Sequence, residues 1–178
     1  MAEAARQLDG LEVQETPLHA ATLRYFDAAG PFAAAVAAVT GTPPPAPLTA
    51  LVVPEAAGVG AGIVLAWLRP TETLALSEVA APLAGLSEAL AKAAGGHVVD
   101  LSGGLKAFRM RGARVADLLS RLGSAALGMG PGHARRGRFG DVPVLALSVR
   151  AAEVLLVVDR AYAAHLGGWI EATLADWT

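Results

Sequence analysis

The sequence predicts an α+β fold in which an antiparallel or mixed sheet is packed by helices. Three observations predict it. Short apolar runs of strand length are separated by glycine and proline. Longer segments repeat their apolar residues at helical spacing and end on glycine. The second half of the chain orders these as two strands and a helix, a loop, then two strands and a helix. A doubly wound parallel sheet alternates strand and helix instead.

Residues 1–20 are expected to form a loose N-terminal arm, and residues 21–178 one domain. Thr22–Phe26 reads as the first strand. Gly30-Pro31 opens a helix in which Phe32, Val36 and Val39 share a face, and Gly41 stops it. Pro43-Pro44-Pro45 and Pro47 then form a stiff link. Leu48–Val53 and Gly62–Leu68 are expected strands, with Thr73–Leu76 a short third. The helix from Val79 to Ala94 carries Val79, Leu83, Leu86 and Leu90 on one stripe, and Gly95-Gly96 ends it.

His97–Leu101 and Lys106–Arg111 are expected strands. In the second, Phe108 and Met110 face one way and Ala107, Arg109 and Arg111 the other. A helix over Ala113–Leu122 buries Val115, Leu118, Leu119 and Leu122. Gly123–Gly140 is expected as a glycine-rich basic loop, and Val142–Ser148 with Val154–Val158 as a hairpin. Asp159 is placed to cap a last helix with the stripe Tyr162, Leu166, Trp169, Ile170, Thr173 and Trp177.

Composition excludes several classes. The 178 residues include no cysteine, which removes disulfides, thiolate metal sites and a cysteine nucleophile. A net charge of -2 gives no basic excess for nucleic acid. Mean hydropathy is high at +0.48. Alanine, with 40 copies, accounts for much of it without adding much core area. Charged residues make up only 17%, so the surface suits a subunit of an assembly. Leu48–Leu68, the most apolar stretch, is broken by Pro54, Glu55 and three glycines and reads as two strands around a turn, so no membrane segment is expected. The N-terminus shows no secretory pattern, and a cytoplasmic location is expected.

Candidate chemistry is sparse. None of His19, His97, His133 and His165 stands at metal-ligand spacing from another. Gly58, Gly60 and Gly62 look like a nucleotide loop, but a dinucleotide fingerprint opens a helix and Ile63–Leu68 reads as a strand. No serine stands in a nucleophile elbow. Asp100 is either a turn cap, or a proton acceptor or substrate ligand. Trp169 and Trp177 are either core and interface residues or a ring-stacking site. The one charged cluster is His133, Arg135, Arg136 and Arg138. Three arginines beside glycines form a solvated loop, grip a partner's carboxylates, or hold a phosphate.

Three blocks of sequence carry a family resemblance. Ala66-Trp67-Leu68-Arg69-Pro70-Thr71-Glu72-Thr73-Leu74-Ala75-Leu76 resembles the Trp-Leu-Gly-Pro-Asp-Glu-Trp-Leu element of the gamma subunit of heterotetrameric sarcosine oxidase. Val98-Val99-Asp100-Leu101-Ser102, Phe108–Gly112 and Ala116-Asp117-Leu118-Leu119 are similar to its next block. Val158–Leu166 resembles its final strand and Trp-bearing helix. The order holds over roughly Thr22 to Trp177. Arg69, Thr71, Thr73 and Ala113 depart from the family's glycine, aspartate, tryptophan and proline.

The resemblance implies the folate-binding fold of aminomethyltransferases. It also implies a non-catalytic structural subunit of a flavin-dependent oxidase of sarcosine or another N-methyl amino acid. FAD, FMN, NAD and tetrahydrofolate would then belong to the larger alpha and beta chains, and zinc to a small delta chain. No catalytic, cofactor or metal residue is expected here. His133, Arg135, Arg136 and Arg138 are the expected interface. The alternative is a stand-alone folate-dependent one-carbon transferase or folate-binding protein.

Overall fold

The computed structural model describes residues 6–8, 10–54, 58–60, 62–123 and 130–177. In chain order the elements are β1 (Arg6–Leu8), β2 (Leu11–Thr16), β3 (His19–Tyr25), α1 (Pro31–Thr40), β4 (Ala50–Val52), β5 (Val64–Arg69), β6 (Glu72–Ser77) and α2 (Ala80–Leu90). They continue as β7 (Gly96–Asp100), β8 (Leu105–Arg111), α3 (Val115–Arg121), β9 (His133–Phe139), β10 (Val142–Arg150), β11 (Glu153–Asp159) and α4 (Arg160–Ala175). The expected α+β class holds. The strands divide over two antiparallel sheets, each within its own compact unit.

One unit comprises Leu18–Gly103. Its sheet runs β4-β5-β6-β3-β7. Local chemistry sets the helix ends. Pro31 starts α1 directly after Gly30, and Gly41 stops it at φ 67°, where a side chain would be strained. Ser77 Oγ accepts from the Val79 N–H at 3.2 Å as the chain enters α2. Leu23, Tyr25, Phe32, Val36, Ile63, Leu65, Leu83, Leu86 and Leu90 form the core against the two helices. Gly96 is required where β7 crosses α1. A Cβ there would lie 2.3 Å from the Arg24 carbonyl oxygen and 2.4 Å from Phe32 Cγ.

The other unit joins Met1–Pro17 to Gly104–Thr178. Its sheet runs β1-β2-β8-β11-β10-β9. Phe108 and Met110 of β8 face the core as the alternation predicts, together with Leu118, Leu119, Leu166, Ile170 and Trp177 from the helical side. Asp159 caps α4, its carboxylate accepting from the Ala161 N–H at 2.8 Å. Trp177 closes the far end, with the guanidinium groups of Arg114 and Arg121 at 4.3 and 4.9 Å from its ring centre.

Four expectations are corrected. The loose arm holds a strand: Leu11, Val13 and Thr16 of β2 are buried, and β2 pairs with β8 from Glu12↔Arg111 to Thr16↔Ala107. The loop expected over Gly123–Gly140 becomes β9 from His133 onward, because β10 supplies a partner for it residue by residue. Residues 124–129, with Gly128, lie outside the described residues. On α2, Val79 is an exposed N-cap and the stripe begins at Leu83. On α4, Tyr162 is exposed, and Ala163 and Leu174 complete the buried face instead.

Candidate functional site

The basic cluster sits on an edge strand. β9 pairs with β10 on one side and is the last strand of its sheet. Its register is unbroken from Ser148↔His133 to Val142↔Phe139. Successive strand side chains point to opposite faces, so the four basic residues divide into two pairs. His133 and Arg135 share a face with Phe139, whose ring is in the core. Arg136 and Arg138 lie on the other face and are both exposed. The structure thus places all four on one strand but not on one surface. A single phosphate gripped by all three arginines is inconsistent with that division.

Local partners further distinguish them. His133 Nδ1 lies 2.7 Å from the Gly130 carbonyl oxygen. Arg138 donates to the Asp141 carbonyl oxygen at 2.6 Å and lies 3.7 Å from the Asp141 carboxylate, which ties it to the turn into β10. Arg136 stands opposite Leu145 and is exposed.

The other candidates resolve into structural roles. Asp100 accepts from the Ser102 N–H at 2.8 Å in a tight turn after β7. That bond, and behind it the Ser102 side chain, holds the Asp100 carboxyl below its ordinary value. Gly58, Gly60 and Gly62 take positive φ angles in the β4–β5 connection. The chain then enters β5, so no helix N-terminus receives a pyrophosphate there. Trp177 is buried, and Trp169 packs partly buried against the same core. His97 lies 6.3 Å from Phe26 and His165 6.4 Å from Trp169, ring centre to ring centre. Among the described residues no three of His, Asp and Glu are grouped to hold a metal.

Two charged constellations escaped the sequence reading. Glu153 is nearly buried at the start of β11, with Arg109 Nε at 3.3 Å, Arg111 Nε at 3.2 Å and Arg150 Nη1 at 3.8 Å. Glu72 similarly meets Arg24 at 3.1 Å and Arg69 at 3.4 Å. Both staple neighbouring strands. Only the register reveals them: Glu153 is opposite Arg111 and Glu72 opposite Arg24 across ladders joining distant segments.

A chain of the heterotetrameric sarcosine oxidase from Corynebacterium sp. U-96, solved with pyrrole 2-carboxylate, has the same fold. The likeness covers 93% of this chain and 84% of that one, at a TM-score of 0.74 and 24% identity. The glycine cleavage system aminomethyltransferase T from Bartonella henselae matches 90% of this chain at a TM-score of 0.64 and 12% identity. This chain spans only 45% of that protein's length. No protein-family model matches the chain, and neither does any curated protein sequence. The fold is therefore one shared by a heterotetrameric sarcosine oxidase chain and part of an aminomethyltransferase, as the sequence blocks imply.

Proposed function

We propose that this chain is a non-catalytic structural subunit of a flavin-dependent oxidase of sarcosine or a related N-methyl amino acid. The likeness to a chain of a heterotetrameric sarcosine oxidase, nearly end to end on both sides, carries the reading. Its partners are larger flavin-binding alpha and beta chains and a small zinc-binding delta chain. FAD, FMN, NAD, tetrahydrofolate and zinc reside in those partners. We place the assembly in the cytoplasm as part of this proposal. Separately, no described helix is long and apolar enough to cross a membrane.

The candidate groups of the sequence are held in structural contacts. Asp100 is committed to a turn, and the glycine-rich connection leads into a strand. Both acids nearest to burial, Glu72 and Glu153, are engaged by arginines in cross-strand ion pairs. The test is affinity isolation of the tagged chain from its native cells. The expected result is a complex with flavin absorbance that oxidises sarcosine or another N-methyl amino acid, while the chain expressed alone does neither. A chain that stays alone and binds tetrahydrofolate by titration would establish the one-carbon alternative instead.

A further inference from the structure

We infer that β9 is a docking edge that receives an extended acidic segment of a partner subunit as a seventh strand of its sheet. The inference rests on the subunit role proposed above and names the surface that serves it.

Among the described residues four strands end the two sheets: β1 and β4 of three residues each, β7 of five and β9 of seven. A long edge strand presents a row of backbone N–H and C=O groups that template another strand. Proteins blunt such edges by shortening or bulging them, by interrupting them with proline, or by lining them with charge. Of these devices β9 has only the charge, which turns away a neutral or basic strand but not an acidic one. Among the described residues it is the longest edge, it contains no proline, and its pairing with β10 runs without a register shift. The one bulge in β10 falls on the β11 side.

Charge selects the occupant. The chain as a whole carries -2, yet β9 carries Arg135, Arg136 and Arg138 with His133 and no acid. The neighbouring Asp141 lies in the turn and meets Arg138. A second copy pairing through the same edge would set arginines against arginines, and like charges across a ladder repel. An acidic strand would meet opposite charges on both faces, because the basic residues are divided between them. Gly137 leaves one position on the core-side face without a side chain, so the incoming chain is not crowded there.

The experiment uses the isolated wild-type complex. Amide hydrogen exchange of residues 133–139 is compared between the chain alone and the complex. Strand addition slows exchange of the outward amides at least roughly tenfold, because their hydrogen bonds to water become hydrogen bonds to a partner. Side-chain docking alone leaves those rates unchanged. In parallel, Arg136→Glu is expected to weaken assembly by about tenfold or more, with Arg136→Lys close to wild type and the wild-type affinity falling as salt rises. Unchanged exchange across β9, wild-type assembly of R136E, or a β9-to-β9 homodimer each overturns the inference while leaving the subunit role standing. Failure of the wild-type chain to assemble with any flavoprotein overturns both.

Discussion

Tyr25 shows how a single side chain ties folding to solution conditions. Its phenol is buried against Phe32, with ring centres 5.8 Å apart. Burial pushes its pKa above the ordinary 10.0, and Thr73 beside it opposes that only in part. The Tyr25 hydroxyl is among the buried polar atoms that find no hydrogen-bond partner among the described residues. A raised pKa means the folded state holds the proton more tightly than the unfolded state. The stability it contributes is complete below pH 10 and is lost as pH rises from there toward the folded pKa. Tyr25→Phe is expected to flatten the alkaline arm of the melting curve while changing the neutral Tm little, as read by thermal denaturation between pH 8 and 11. Gly96 makes a second prediction at this scale. A methyl group there has no room between the Arg24 carbonyl and the Phe32 ring. Gly96→Ala should cost about 1–3 kcal/mol or more, measured by urea denaturation. Gly95-Gly96 was legible in the sequence as a helix stop. The need for a missing Cβ at Gly96 was not, because it arises from Phe32, 64 positions away in the chain.

Among elements, legibility followed the strength of the period. α3 was readable because Val115, Leu118 and Leu119 recur at helical spacing, and all three are buried. Leu118→Ala removes a fully buried side chain and should cost roughly 2–5 kcal/mol, a large share of a domain's ~5–15 kcal/mol, with CD and melting as the readout. α4 was readable through its Asp159 cap, though its face was misjudged by one residue at Tyr162. β2 was hidden because only Leu11 and Val13 alternate among charged and polar neighbours, and its burial depends on β8. β9 was hidden for a different reason. Its two buried residues, Ala134 and Phe139, stand five apart and so point to opposite faces, which breaks the two-residue period. Arginine and glycine around them suggest a loop. Pairing with β10 makes the segment a strand, and no local signal reports that pairing. The basic cluster was therefore found by composition, but its division between two faces came from the register.

For the whole molecule, the central claim is that the chain acts as part of an oxidase assembly. Low charge and high hydropathy already suggested a chain that buries surface on a partner. Exposed Phe26, Val59 and Val79 add apolar surface of that kind. Binding that favours the native state stabilises it by RT ln(1 + [L]/Kd), about 2.7 kcal/mol at a hundredfold excess over Kd. The Tm of this chain should therefore rise by several degrees when its partner chains are added, and an unchanged Tm in differential scanning calorimetry would argue against assembly. The most direct measurement is native mass spectrometry of the complex isolated on this 18.0 kDa chain. The account predicts one copy of the chain bound to three unlike chains, with flavin released only from the larger ones when the complex is dissociated. A homo-oligomer of this chain, or a flavin that stays with it after dissociation, would contradict the account.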